Sequence, residues 1–381
     1  AQATGRGDED KTVEIALRYG AIALAVGIGL LILHPLLREL GFALLQGTTI
    51  VKASGREYFN ARILSAPANL LLMAASGWFL GRARSSAVLV LTGVGSFSNI
   101  AFNYGFVVHL GWGARGAGWG TAMSEYLALV VAGVLLGRSL AWPRVQRVWR
   151  QAIAPAEMLA TLHLNANLTV RTLALLLTFS CFTSFSAAMG TTVLAAQAIL
   201  LQVFTFAAYF IDGFAFAAES LTGMLLGRDA RNDLPAVLWL SGSTSFVTGV
   251  GIAIACLLFP APMFGVLTDR ADLLARIREF VPWLIPILGI GAIAFALDGY
   301  FLGLSAGRPL RQSAMLSAAI GFFPLALTAL HQQRPHLLWL ALTGFMLARV
   351  IFLGAYVPQT LRSPVTVALS SPKAIPPSRM P

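Results

Sequence analysis

Long apolar stretches alternate with short polar ones along almost the whole chain. A helix that crosses a membrane needs about 20 mainly apolar residues. Ten stretches meet this requirement, at residues 13–34, 60–81, 86–110, 117–137, 168–190, 193–222, 235–259, 282–304, 310–330 and 336–357. The pattern therefore predicts an all-α fold, a polytopic membrane helix bundle.

The composition supports a membrane protein. Of the 381 residues, 57% are hydrophobic and only 11% are charged, whereas soluble domains carry about 25% charged residues. The net charge of +11 comes from basic residues in short segments between the apolar stretches. Such a distribution favours an anionic lipid surface as the partner and disfavours nucleic acid. Cys181 and Cys256 lie in apolar stretches and suggest neither a disulfide nor a metal site.

The polar segments divide the chain into four parts. Residues 1–139 are predicted to form an N-terminal lobe with about four spans, and residues 140–167 a basic cytoplasmic linker. Residues 168–357 are predicted to form a C-terminal lobe with six spans, and the Pro- and Ser-rich residues 358–381 a disordered cytoplasmic tail.

The distribution of basic residues predicts the orientation. When successive connections are assigned to alternate sides, and basic residues near the ends of spans are counted with the adjoining connection, seventeen of the 27 lysines and arginines fall on one side and nine on the other, while Arg349 lies in the interior of a span. The side richer in Lys and Arg is usually cytoplasmic. We therefore expect both termini to be cytoplasmic and the protein to lie in the inner membrane.

The sequence repeats itself at a constant offset of 222 residues. Arg56-Glu57-Tyr58 corresponds to Arg278-Glu279-Phe280, and residues 77–81 (GWFLG) correspond to residues 299–303 (GYFLG). Repeats of this kind are common in secondary transporters. Two six-helix lobes in parallel repeat are therefore expected. Residues 168–222 have no counterpart in the first half, so we expect that lobe to lack two helices of the intact protein.

Several segments resemble the MATE (multidrug and toxic compound extrusion) family, and in particular its DinF-like branch. The resemblance rests on residues 1–8 (AQATGRGD), 111–126 (GWGARGAGWGTAMSEY), 193–202 (VLAAQAILLQ), 211–219 (IDGFAFAAE) and 297–303 (LDGYFLG). It implies a drug or toxin antiporter driven by protons or sodium, with no other cofactor. This chain departs from the family at Asn103, where members often carry an acid, and it does not contain the family's first helix with its essential aspartate.

Four acids of the predicted spans are candidates for function, because ionisable groups inside a membrane are costly and usually functional. They are Glu125, Asp212, Glu219 and Asp298. Asp212 and Glu219 are seven residues apart and share a helix face with Tyr209. Acids beside aromatic rings suit an organic cation or a coupling ion. The alternatives are solvation for Glu219, a partner such as Arg115 for Glu125, and a structural hydrogen bond for Asp298.

Polar residues form a second group of candidates. Asn99 and Asn103 are four apart and face the same way, and Gln197 lies on the helix that carries Asp212. They either line a central cavity or join helices by hydrogen bonds.

Together these features predict a monomeric secondary active antiporter and not an enzyme. It would export organic cations, drugs or other amphipathic solutes by alternating access. Two alternatives remain: a lipid-linked precursor flippase of the same superfamily, which would need a cationic cleft, and a non-transporting membrane scaffold or receptor.

Overall fold

The computed structural model describes residues 1–44, 48–268 and 270–362, and these residues are almost entirely helical, without a strand among them. Chain contacts divide the molecule into two compact units that meet in sequence at Ala160 and Thr161. The predicted tail beyond residue 362 lies outside the described residues. Within them, the last helix continues to Arg362, past the predicted start of the tail at residue 358.

The helices of the first unit begin close to the N-terminus. They are α1 (Gln2–Gly5), α2 (Glu9–Leu44), α3 (Thr49–Arg62), α4 (Ala66–Gly81), α5 (Ser85–Asn103), α6 (Gly113–Ser139) and α7 (Trp142–Ala152). Helix α8 (Pro155–Ala188) begins in this unit and continues into the second. The predicted linker 140–167 is therefore mostly helical, as α7 and the first turns of α8.

The second unit contains the remaining helices. They are α9 (Thr191–Gly227), α10 (Leu234–Leu258), α11 (Pro260–Gly265), α12 (Ala271–Phe280), α13 (Leu284–Gly303), α14 (Gly307–Leu316), α15 (Phe323–Gln332) and α16 (Pro335–Arg362). A π-helical segment, Ser317–Phe322, joins α14 to α15, so that the three form one continuous rod.

Ten helical rods in the described part of the chain are long and apolar enough to cross a membrane. They coincide with the ten predicted spans, although several extend further. For example, the seventh rod runs from Arg231 to Leu258, and the eighth from Ala271 to Gly303. Among their described residues, the longer connections at 35–59 and 260–281 are largely helical, in the end of α2, in α3, and in α11 and α12.

The internal repeat is visible in the helix boundaries. The helices of the second unit begin 222 residues after those of the first at three places: Ala271 after Thr49, Gly307 after Ser85, and Pro335 after Gly113. Helices α4 and α13 also end at equivalent residues, Gly81 and Gly303. The repeat therefore extends further along the chain than the motif matches alone indicate.

The turns of the two halves have the same backbone conformation. Ala83 (φ 55°) and Ser305 (φ 58°) are both left-handed, although neither is glycine. The amide of Arg84 donates to the Phe79 carbonyl at 2.9 Å, and the equivalent Ala306 amide donates to Phe301 at 3.0 Å. Left-handed residues also occur at the equivalent positions 7 and 229, and 111 and 333. Since non-glycine residues rarely adopt this conformation, the repeat is a structural one.

Close helix packing in the second unit depends on glycines. A side chain at Gly299 would collide with the backbone of Ala215 on α9, and one at Gly303 with the backbone of Glu219. These contacts hold α13 directly against α9. Small residues at helix crossings allow this approach in membrane bundles, and here they place the acids of the two helices in neighbouring turns.

Candidate functional site

Asp298 is the most enclosed of the four predicted acids. It is adjacent in sequence to Gly299, where α13 crosses α9, and it is only 4% exposed. Two arginines donate to its Oδ2 atom, Arg171 from α8 and Arg349 from α16. The carboxylate of Asp298 thus links three helices, α8, α13 and α16, which agrees with the alternative of a structural role for this acid.

Arg349 is almost completely buried, at 2% exposure. Besides Asp298, its guanidinium contacts the Met346 sulfur at 3.6 Å and lies 5.7 Å from the ring centres of Phe295 and Phe345. A buried charge is tolerated when it is paired and surrounded by polarisable groups. Arg349 is therefore fixed by its surroundings.

Arg171 is less constrained than Arg349. Its side chain is partly exposed, and its Nε atom forms no hydrogen bond with any described residue. One carboxylate and two guanidinium groups carry a net charge of +1. The interior of this unit is therefore more cationic at this point than the four predicted acids suggest.

Asp212 lies close enough to this group to interact electrostatically with Asp298, Arg171 and Arg349. It is half-buried on α9 and forms no ion pair with a described residue. Glu219, two turns further along, is also half-buried and interacts electrostatically with Arg171. Tyr209 on the same helix is 71% exposed. The available carboxylates of this unit are thus Asp212 and Glu219.

Glu125 is held by a different set of partners in the first unit. Both of its oxygens accept from Arg62, at 2.7 and 2.9 Å, and Oε1 also accepts from Asn69 Nδ2 at 2.8 Å. Glu125 therefore has an arginine partner, as the alternative for this acid suggested, but that partner is Arg62 and not Arg115, whose guanidinium lies over the Trp112 ring at 5.9 Å. A bidentate arginine pair fixes the carboxylate firmly.

Asn99 and Asn103 are joined to each other and to α6. Asn103 Nδ2 donates to Asn99 Oδ1 at 2.9 Å, and Asn99 Nδ2 donates to the hydroxyls of Thr121 at 3.2 Å and Ser124 at 3.4 Å. The predicted helix-to-helix hydrogen bonds are therefore present. Asn103 Oδ1 is buried against Gly120 and accepts no hydrogen bond from a described residue.

A cavity of about 620 Å³ lies beside these residues in the first unit. Its polar lining consists of Asn69, Ser76, Thr92, Ser96, Asn99, Thr121, Ser124 and Glu125. Asn99 and Glu125 thus share one cavity of the first unit, which Asn103 does not line, and the lining of a central cavity by the asparagines stays a prediction. Ser76 occupies the position equivalent to Asp298 in the repeat, so the same position lines a cavity in one unit and carries the buried acid in the other.

Gln197 is 1% exposed and contacts the hydroxyl of Ser186 on α8. It lines a smaller cavity in the second unit. Within the described ranges, no three His, Cys, Asp or Glu side chains are grouped closely enough to hold a metal ion.

The arginine partners of the acids are not among the predicted site residues. Arg171 and Arg62 lie near the ends of predicted spans, and both pair with acids. A buried ion pair in the first unit, Glu14 with Arg18, was also missed. Two signals were available: Arg349 lies in the middle of an apolar stretch, and Glu14 and Arg18 are four residues apart, a spacing that brings side chains together on a helix.

Comparison with known proteins identifies relatives of both the sequence and the fold. The MatE family profile matches residues 1–105 and 168–330. DNA damage-inducible protein F of Escherichia coli is 28% identical over 360 residues, which cover 93% of this chain and 77% of that protein. Protein DETOXIFICATION 44 of Arabidopsis thaliana, a chloroplastic protein, is 25% identical over 80% of this chain and 59% of its own length.

Two solved structures show the same fold. A MOP superfamily transporter from Pyrococcus furiosus, described as having a binding pocket of reverse polarity, superposes with a TM-score of 0.81 at 16% identity, covering 95% of this chain and 82% of that one. A variant of the Vibrio cholerae MATE transporter VcmN superposes with a TM-score of 0.81 at 19% identity, covering 96% and 83%.

Proposed function

Because the chain belongs to the MatE family of membrane transporters, we propose that it is a secondary active antiporter that exports organic cations or other amphipathic solutes in exchange for protons or sodium. It is a multi-pass membrane transporter and not an enzyme. The observation that carries the proposal is a half-buried carboxylate, Asp212, which forms no ion pair with a described residue although charged neighbours surround it.

The partners of Asp298 explain why Asp212 is the better coupling residue. Asp298 is bound by two arginines, so a substrate cation would have to displace a buried ion pair to reach it. That exchange is costly, because the displaced charges stay buried. Asp212 needs no such exchange, and it can bind a proton, a sodium ion or an organic cation in turn.

Competition for one carboxylate is sufficient to produce antiport. If the inward-moving ion and the outward-moving solute bind Asp212 alternately, each releases the other. Lobes that rock about such a site give alternating access. Glu219 and the exposed Tyr209, on the same helix, supply a further charge and an aromatic surface for a lipophilic cation.

The cavity of the first unit offers a separate candidate binding surface. Asn99 and Glu125 would contribute hydrogen bonds and a fixed charge, with Asn103 donating to Asn99 and Arg62 holding Glu125 in place. We assign these residues to substrate binding and not to ion coupling, because the carboxylate of Glu125 is already neutralised.

One observation favours the flippase as a second candidate. The charged group of the second unit contains two arginines, and the partly exposed Arg171 has an Nε atom without a hydrogen bond in the described chain. A pyrophosphate head would bind such a group. The two available acids, Asp212 and Glu219, oppose this alternative, and so we place it second.

Ethidium efflux tests the proposal. Cells that express the complete gene should expel ethidium faster than cells with an empty vector, and collapse of the proton and sodium gradients should abolish the difference. If expressing cells and empty-vector cells expel ethidium equally fast, and the gene rescues a strain that lacks a lipid-linked precursor flippase, the second candidate would be established instead. In the same cells we expect a monomer in the inner membrane with cytoplasmic termini.

A further inference from the structure

An apolar groove of about 330 Å³ lies at the surface of the second unit, where α10, α13 and α16 meet. Pro235, Trp239 and Gly242 of α10 face Leu297 of α13 and Leu361 of α16 across it. Among the described residues that line the groove, none is charged, and the indole nitrogen of Trp239 is the only polar side-chain atom. Trp239 is 78% exposed. A concave apolar surface of this kind can hold a hydrocarbon chain of matching shape.

The same region of the first unit is covered by a helix of its own. Helix α2 is the counterpart of α10, and the short helix α7, which follows α6, packs along the beginning of α2. Arg144 and Arg147 of α7 donate to Glu9 and Asp10 of α2, at 3.3 and 3.0 Å. Val13, one turn further along α2, is only 1% exposed. The first unit therefore closes this region with a basic amphipathic helix that pairs with acids.

The second unit carries the opposite charge at this place. Arg231 and Asn232 occupy the positions equivalent to Glu9 and Asp10 in the repeat. Pro235, equivalent to the buried Val13, is exposed. A basic helix like α7 would be repelled by Arg231, and within the described residues no helix follows α16. The groove therefore fits a partner that is apolar along its length and anionic at one end.

Arg231 lies at the end of the groove that Leu361 lines. It interacts electrostatically with Tyr300, whose hydroxyl is 2.7 Å from that of Thr360, the neighbour of Leu361 in sequence. The Nε atom of Arg231 is 3.5 Å from the carboxylate of Asp229, a side chain that is 89% exposed. An ion pair with so exposed a partner contributes little, so a phosphate group can share this guanidinium.

This end of the second unit is cationic as a whole. The α9–α10 connection, the α13–α14 connection and the end of α16 lie on one side, because two spans separate each from the next. They contain five arginines and two aspartates, namely Arg228, Arg231, Arg308, Arg311 and Arg362, with Asp229 and Asp233. The predicted orientation places them in the cytoplasm, where the membrane surface is anionic. We propose that the groove holds an acyl chain of an anionic phospholipid, whose phosphate binds Arg231.

Lipid binding to the purified protein from the complete gene tests this, with phosphatidylglycerol and phosphatidylcholine brominated on one acyl chain as probes. Bromine quenches tryptophan fluorescence on contact, and the part of the quenching that is lost in Trp239→Phe reports on the groove. This part should saturate with phosphatidylglycerol at about a tenth of the concentration that phosphatidylcholine requires. The number of bound phosphatidylglycerol molecules, counted by native mass spectrometry, gives a second readout.

Two pairs of variants test the groove and the phosphate site separately. Gly242→Phe should fill the groove and remove both signals, because no neighbouring atom lies within 4 Å of a Cβ placed there. Gly251→Phe, equally open on the same helix but outside the groove, should change neither. Arg231→Gln should weaken phosphatidylglycerol binding about 5-fold and leave phosphatidylcholine binding unchanged. Arg278→Gln, at an exposed arginine predicted on the opposite side of the membrane, should alter neither.

Three results would overturn the proposal. The first is half-saturation by both lipids at the same concentration, and the second is phosphatidylglycerol binding that survives both Gly242→Phe and Arg231→Gln. The third is quenching that appears only after removal of residues 363–381, which lie outside the described residues, because the end of the chain would then fill the groove. The test measures lipid binding alone, so its result does not depend on whether the protein exports cations.

Discussion

Replacement of Asp298 by asparagine separates the two roles that the sequence left open for this acid. The change keeps the size of the side chain but removes the charge that neutralises Arg171 and Arg349. Breaking a buried ion pair by removing one partner typically costs about 3–5 kcal/mol. Because Asp298 serves two arginines and Arg349 is almost fully buried, we expect a loss near the upper end of that range.

The arginines provide an internal scale for this measurement. Arg349→Gln leaves Asp298 paired with Arg171, and Arg171→Gln leaves it paired with Arg349. Arg171 is the more exposed of the two, so its replacement should be the mildest. The free energy of unfolding should therefore fall most for Asp298→Asn, less for Arg349→Gln and least for Arg171→Gln.

The assay is equilibrium unfolding of the purified variants in mixed detergent micelles, followed by tryptophan fluorescence. Asp229→Asn is a matched control, because Asp229 is 89% exposed and makes only a 3.5 Å contact with Arg231. An Asp298→Asn variant with wild-type stability would refute the structural role. If that variant also lost efflux, Asp298 would be the coupling acid instead.

Three further predictions follow from the packing and charges. Gly249→Ala should lower the thermal unfolding temperature of the second unit, because a Cβ atom would lie 2.7 Å from the Leu288 carbonyl oxygen. Gly251→Ala, on the same helix, faces open space and should leave that temperature unchanged. Equal melting temperatures for the two variants would contradict the helix contact. Glu125→Gln should weaken drug binding several-fold, since it releases Arg62 into the cavity, and unchanged affinity in a titration would remove Glu125 from the binding surface. A cysteine at Ser54 should react with an impermeant thiol reagent in intact cells, and one at Ser139 only after permeabilisation; the reverse result would invert the orientation.

Much of the fold was predictable because its determinants are local. Twenty apolar residues in succession specify a membrane helix regardless of what lies around it, and all ten predicted spans correspond to helical rods. The repeat was predictable for a different reason. Arg56-Glu57 and the glycines at 77 and 81 recur 222 residues later as Arg278-Glu279, Gly299 and Gly303. The left-handed turns and helix ends recur with the same offset.

The partners of the charged residues could not be predicted in the same way. Whether Asp298 is free or neutralised depends on Arg171 and Arg349, which are 127 and 51 residues away in sequence. Spacing along one helix carries no information about such contacts. The same limitation applies to Glu125, for which the sequence suggested a partner such as Arg115, close to it in the chain, whereas the structure gives Arg62.

Helix packing at small residues was predictable only in part. Glycines such as Gly299 and Gly303 allow close helix contact, but the sequence does not say which helix approaches. The structure identifies α9 as that helix, through Ala215 and Glu219. This contact brings Asp212 into the electrostatic neighbourhood of Asp298, and the proposed division of roles between the two acids depends on it.

The central claim is that Asp212 exchanges the coupling ion for the substrate. It is tested most directly in proteoliposomes that contain the complete protein, where uptake of ethidium is measured against an imposed proton or sodium gradient. Asp212→Asn should abolish gradient-driven uptake while folding like the wild type, and the exposed control Asp229→Asn should transport normally. Wild-type, gradient-driven uptake by Asp212→Asn would contradict the account.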